Sequence, residues 1–253
     1  MFKKILAALI IIILISGLFY LGFYLYLTKI KPSKESVSEP APAETSSTSQ
    51  PSILYASDFS KSDSLNDWTT VDDVNANEGP GDWKIENGAL VQLSNIWAGT
   101  AGEPVTGKSY LGTEAYLKVG FSWSNYEVSA KFNPKDNDGV GFLVRYNDQS
   151  NYYKVMMVQD SEKDNGGPFI KIDKNLNGTY ITLFQKPLTY NLSQDNEIRI
   201  MVNGPLIEVY LNSETKTIWA TDPDSSFSQG TLGLACFAQR GVSFKDIKIT
   251  EIK

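Results

Sequence analysis

Asp195 and Glu197 stand two residues apart, a spacing that projects two carboxylates from one face of a strand, where a pair of acids could act on a glycosidic bond. They follow Ser193-Gln194 at the mouth of a strand and lack a third partner, so they read as solvated turn carboxylates. The chain has no histidine, which removes imidazole bases, Ser-His-Asp chemistry and histidine-held zinc or iron. Its single cysteine, Cys236, sits in Leu232-Gly233-Leu234-Ala235-Cys236-Phe237 and reads as a buried small hydrophobe; one cysteine allows no internal disulfide and no thiolate cluster. No catalytic array stands out.

Ligand recognition is better represented. A sugar-binding surface needs aromatic faces to stack on pyranose rings and a few fixed polar groups to orient hydroxyls. Trp97 lies in the loop-like stretch Asn95-Ile96-Trp97-Ala98-Gly99, with little reason to bury an indole. Trp219, in Thr217-Ile218-Trp219-Ala220, and Arg145 beside Tyr152 and Lys154 on a hairpin complete the candidate ligand set. Trp83 opens a strand and reads as packing. Asp136-Asn137-Asp138-Gly139 lacks the twelve-residue calcium-loop pattern and reads as a charged β-turn.

These residues must be held by elements that the rest of the sequence describes. From Ile5 to Thr28 the chain runs 24 residues without a charge; as a helix this covers roughly 36 Å, enough to cross a hydrocarbon core of about 30 Å. The stretch is too long for a cleaved signal, whose apolar core is about 7 to 15 residues. Residues 1–28 therefore read as an uncleaved transmembrane anchor in contact with the lipid bilayer. Lysines flank it on both sides, so the charges do not choose its orientation. Residues 29–52 are rich in Ser, Thr, Pro, Glu and Ala and read as a disordered stalk, which favours an extracytoplasmic domain on a single-pass membrane protein. The first 52 residues hold five lysines and three glutamates, leaving 18 basic and 26 acidic side chains in residues 53–253. An acidic domain repels phosphate backbones, so nucleic acid is not an expected partner.

The period of that domain is two. In Tyr126-Glu127-Val128-Ser129-Ala130-Lys131-Phe132 apolar and polar residues alternate without exception, the mark of a half-buried strand. Asn87-Gly88, Asn177-Gly178 and Asn203-Gly204 carry the turn chemistry of tight hairpins and predict three, over 83–93, 169–185 and 198–211. A fourth joins 139–146 to 152–158. Further strands are predicted near 53–59, 110–116, 230–237 and 242–252. In the last of these, Val242 and Phe244 differ in parity from Ile247 and Ile249, which predicts a bulge at Lys245 or Asp246. About a dozen strands and no persuasive amphipathic helix predict an all-β, two-sheet antiparallel sandwich.

The run from Asp136 to Tyr146, followed by Gln149-Ser150-Asn151-Tyr152-Tyr153-Lys154-Val155, resembles the central hairpin of concanavalin A-like lectin/glucanase jelly rolls. It is similar to thrombospondin C-terminal-like and LamG-like domains and to the 3-keto-disaccharide hydrolase type. Trp83 to Leu90 resembles the early hairpin of these domains; Gly230 to Leu234 leading to Phe244 to Ile249 resembles their closing strands. The resemblance implies pairing of the terminal strands, which would bring Asp58 near Asp246 and make a structural Ca²⁺ conceivable there. It also implies a Glu-x-Asp-x-x-Glu array if the domain were a glucanase, and no such array is present. The expectation is a membrane-tethered glycan-binding or adhesion module. A tethered carbohydrate-active hydrolase is the alternative, and a protein-binding scaffold the third reading.

Overall fold

The computed structural model describes residues 51–73, 76–97, 110–161 and 166–253. The anchor at 5–28 and the stalk, apart from its last two residues, lie outside the described residues. Among those described, the strands are Ile53–Ser57 (β1), Trp68–Asp72 (β2), Trp83–Glu86 (β3), Ala89–Gln92 (β4), Thr113–Leu117 (β5), Tyr126–Pro134 (β6), Gly139–Asp148 (β7), Asn151–Val158 (β8), Phe169–Leu176 (β9), Thr179–Lys186 (β10), Asn196–Asn203 (β11), Leu206–Leu211 (β12), Ile218–Thr221 (β13), Thr231–Phe237 (β14) and Val242–Glu251 (β15). One 3-10 turn, Ser62–Asp67, is the helical exception. The strands build two antiparallel sheets. The first runs β13-β12-β11-β6-β15-β4-β3, with β1 also on β15; the second runs β10-β9-β8-β7-β14-β5-β2. This is the predicted sandwich.

All four predicted hairpins form, as β3/β4, β7/β8, β9/β10 and β11/β12. Asn87-Gly88 and Asn177-Gly178 both take positive φ, as a tight hairpin turn with two such residues requires. The third turn differs. Asn203 pairs with Leu206, so Gly204-Pro205 are the turn's central residues, and Gly204 alone takes the positive φ while Pro205 supplies a fixed negative one. The bulge also forms: register shifts between Lys245 and Lys248, Asp246 sits at φ 49°, and Val242, Phe244, Ile247 and Ile249 are all buried. It divides one edge of β15, with β4 pairing from Val242 to Phe244 and β1 from Ile247 to Thr250.

Between the sheets Phe132, Phe142 and Phe244 meet edge to face, and Trp83 stacks on Phe244 while its indole N–H donates to Thr113 Oγ1 at 2.8 Å. The sheet containing β6 keeps an apolar inner face and a polar outer one. The other sheet does not. In β7, β8, β9 and β14 nearly every residue is buried. Its inner face joins the main core, and its outer face carries a second cluster of Leu143, Tyr146, Tyr152, Met156, Phe169 and Phe237, which Tyr110 helps to cover. Tyr110 was predicted within a strand. Instead it sits at φ 49° before β5 and folds over the sheet, its ring 5.3 Å from Phe169 and 5.2 Å from Phe237.

A buried acid and lysine cluster as the candidate functional site

Strand alternation places a polar layer on that covered outer face. Lys154 of β8 lies between Leu143 of β7 and Asp173 of β9 in register, and Met156 lies between Gly141 and Lys171. Glu114 of β5 is opposite Ala235 of β14, itself opposite Gly141. The floor between Glu114 and the two lysines is thus made of Ala235, Gly141 and Met156. A Cβ at Gly141 would meet the Met156 methyl at 3.1 Å and the Ala235 Cβ at 3.3 Å, so no larger residue fits without displacing this floor.

The polar groups are almost completely withdrawn from solvent: Glu114 and Lys154 are each 1% exposed and Asp173 is 0%. Lys171 pairs with Asp173 at 2.5 Å and stands 4.7 Å from the centre of the Tyr110 ring. The Lys154 ammonium donates to the Tyr110 carbonyl at 3.3 Å and lies 4.9 Å from the Tyr180 ring centre. The Tyr152 hydroxyl donates to Glu114 Oε1 at 3.1 Å and shares a 2.5 Å hydrogen bond with the Tyr180 hydroxyl. Glu114 Oε2 and Asn175 Oδ1 have no hydrogen-bond partner among the described residues. A buried carboxyl oxygen left without a partner costs about 1–3 kcal/mol. Such groups are tolerated where a ligand or ordered water completes them.

Burial and the neighbouring Asp73 carboxylate push the Glu114 carboxyl up to about 8, against the opposing pull of Lys154 and of the Tyr152 hydroxyl. Burial also raises Asp73, which is partly offset by Lys154 and by the Gly112 N–H that donates to it at 2.6 Å. The same burial lowers Lys154, with Asp73, Glu114 and Asp173 opposing. A protonated acid therefore faces an amine whose charged form is disfavoured. That combination can donate and accept hydrogen bonds, and can also move protons.

The candidate ligand residues separate into three places. Trp97, Tyr152 and Lys154 come together here, with Tyr152 in the second cluster and Trp97 packed against it; Trp97 is half-buried, its carbonyl accepting from the Asn77 N–H at 2.6 Å. Arg145 is elsewhere. Its guanidinium is buried and donates to the carbonyls of Ser124, Gly204 and Phe227, at 2.9, 2.6 and 2.8 Å, tying three loops together at one end of the sandwich. It is not beside Lys154 because the β7/β8 register shifts after Val144, where Arg145 adopts φ 49°. Trp219 is on the opposite sheet, facing outward. Asp58 and Asp246 do approach one another, since Ser57 pairs with Ile247 and both acids line one open groove of about 760 Å³. Asp246, however, pairs with Lys131 at 3.0 Å and Asp58 accepts from the Ser60 N–H. No group of three or more His, Cys, Asp or Glu side chains placed to hold a metal ion occurs among the described residues.

Glu114, Lys171, Asp173 and Tyr180 were not singled out from sequence. A polar residue alternating with apolar ones, as in Phe169-Ile170-Lys171-Ile172-Asp173, reads as a solvated face; the one hint was lysines and acids set within unusually apolar strands.

The architecture is that of a concanavalin A-like jelly-roll sandwich, two antiparallel sheets packed face to face. Residues 57–250 match the 3-keto-alpha-glucoside-1,2-lyase-like domain, and the chain belongs to that family. No curated protein sequence matches it at a significant level. Among solved structures it is similar in fold to the carbohydrate binding module CBM66 from Bacillus subtilis, at 16% identity and TM-score 0.54, covering 73% of this chain and 96% of that one. A Bacillus subtilis protein of unknown function with a galectin-like fold aligns at 10% identity and TM-score 0.57, covering 80% and 97%. The GH43 protein BlXynB from Bacillus licheniformis aligns at 15% identity and TM-score 0.54, covering 78% of this chain and only 39% of that one.

Proposed function

We propose that this chain is a carbohydrate-recognition module, held outside the cell by residues 5–28 and a stalk, which seats a sugar on the covered outer face of its β5/β14/β7/β8/β9 sheet. The observation that carries this reading is Glu114: a buried carboxyl with one oxygen bound by Tyr152 and the other without a partner among the described residues, in a buried polar cluster that also holds Lys154, Tyr152 and Tyr180. Sugar hydroxyls are matched by such a set of donors and acceptors, and sugar C–H faces by tyrosine rings. The family and the fold of CBM66 support a carbohydrate ligand. A binding screen over neutral glycans tests it: the wild-type chain should bind at least one, and Tyr180→Phe should weaken that binding.

A second reading follows from the same carboxyl. The family's name describes a 1,2-lyase acting on a 3-keto-α-glucoside, a reaction in which a base removes the proton at C2 while an acid protonates the oxygen leaving C1. Glu114, raised to about 8, is suited to be that acid near neutral pH, and Lys154, its charged form disfavoured by burial, to be the base. Incubation with a 3-keto-α-glucoside separates the two readings. Release of the aglycone that Glu114→Gln abolishes supports the lyase; binding without release supports the module.

A further inference from the structure

The outer face of the β13-β12-β11-β6 half-sheet bears a different kind of surface. Burial alternates in β6, β11 and β13, and the cross-strand register carries that alternation into β12, where Glu208 is itself buried, so Trp219, Glu208, Tyr210, Arg199, Met201, Glu127 and Ser129 share the face away from the core. Trp219 is 51% exposed, whereas Trp68 and Trp83 are core residues. In register it lies opposite Glu208; two residues on, Tyr210 lies opposite Arg199, and Arg199 opposite Ser129. With strands about 4.8 Å apart, the run from β13 to β6 spans about 14 Å, enough for a short oligosaccharide.

This surface is ordered by its own contacts. The Arg199 guanidinium lies 3.8 Å from the centre of the Tyr210 ring and pairs with Glu127 at 3.0 Å and Glu214 at 3.8 Å. Lys216 pairs with Glu208 and lies 5.6 Å from the Trp219 ring centre. A groove of about 520 Å³ beside them is lined by Ser129, Lys131, Arg199, Tyr210, Asn212 and Glu214, among others. Arg199, Lys216 and Lys131 each have a carboxylate partner on this face. The surface therefore offers no free positive field to a polyanion, but it presents fixed donors and acceptors beside aromatic rings. That chemistry suits a neutral sugar chain.

We propose that this face is a second carbohydrate platform, on which Trp219 stacks a neutral sugar ring and the groove beside Tyr210 and Arg199 takes the next rings of the chain. It rests on the carbohydrate reading above but uses none of that site's residues. The two platforms lie on opposite outer faces of a sandwich whose sheets pack about 10 Å apart, so one short oligosaccharide cannot occupy both. The module then holds two segments of polysaccharide at once and gains avidity on a dense glycan surface.

The test is affinity electrophoresis of the full-length chain through gels containing xylan, β-glucan, mannan or starch, with wild type, Trp219→Ala, Tyr210→Ala, Tyr180→Phe and Trp219→Ala/Tyr180→Phe compared. Trp219 faces solvent on an edge strand, so its removal should leave Tm unchanged. Loss of one aromatic stack should weaken retardation about tenfold, Tyr210→Ala should weaken it as well by freeing the Arg199 side chain, and the double variant should lose retardation. Wild-type retardation that Trp219→Ala and Tyr210→Ala both leave intact overturns the second platform while sparing the first. No retardation of wild type by any of the four polysaccharides overturns the second platform together with the neutral-polysaccharide reading of the first.

Discussion

Replacing Glu114 by glutamine removes one ionisable group while keeping an acceptor for the Tyr152 hydroxyl. Burial and Asp73 raise the wild-type carboxyl from 4.5 to about 8, so the folded chain keeps a proton that the unfolded chain has released. Wherever the folded state binds more protons, stability falls as pH rises; the loss begins above the unfolded value and ends once the folded carboxyl itself ionises near 8. Between pH 6 and that point each pH unit is worth about 1.4 kcal/mol, so wild type should lose about 3 kcal/mol that the variant retains. For a domain of this size the difference is about 6–12 °C in Tm. Asp73, Lys154, Tyr152, Tyr146 and Tyr180 face the same carboxyl. The tyrosines, all raised above their ordinary value of 10, stay neutral from pH 5 to pH 9, and Asp73 and Lys154 are present in both proteins, so the difference between the two curves reports Glu114 together with its coupling to those two groups. The assay is thermal or urea unfolding of both proteins from pH 5 to pH 9. Parallel curves throughout would refute a buried, protonated Glu114.

Arg145→Ala should leave the Ser124, Gly204 and Phe227 carbonyls without their shared donor and cost about 3 kcal/mol or more, read as a lower urea midpoint at unchanged slope. Lys174 pairs with Asp222 at 2.8 Å, and the Tyr153 hydroxyl donates to the same carboxylate at 2.6 Å; Lys174→Met should therefore destabilise by about 3–5 kcal/mol, and a change below 1 kcal/mol would show the pair to be dispensable. Burial alone would raise Asp222, but Lys174, Tyr153 and the Ser226 N–H bring it down to about 2, so this contribution should persist above its ordinary value of 3.8 and fade only as pH falls toward 2. Calcium at millimolar concentration should shift Tm by less than about 1 °C, because Asp246 already has Lys131 as its partner; a rise of several degrees would restore a metal to the groove at Asp58.

Local chemistry made much of the fold readable. The turn pairs Asn87-Gly88 and Asn177-Gly178 act within four residues, and the parity break between Phe244 and Ile247 marks its own bulge. The short strands β2 and β13 escaped because four or five residues carry too little periodicity to stand out. Arg145 was misplaced by a register shift that no neighbour in sequence announces. The polar cluster was hidden for a longer-range reason: Lys154, Lys171, Asp173 and Glu114 sit on strand positions that would face water in a simple sandwich, and residues distant in sequence, Tyr110 and Tyr180 among them, pack over that face. Trp219 and Trp97 look alike as sequence, yet one is outward on an edge strand and the other packs against the second cluster.

The central claim is that a sugar occupies the covered face at Glu114. An NMR titration of tyrosine-labelled chain with the glycan it binds most tightly tests this directly. The account predicts that the resonances of Tyr152 and Tyr180 move with saturation and that those of Tyr55, beneath the 3-10 turn, do not. Saturable binding that leaves Tyr152 and Tyr180 unmoved would contradict it.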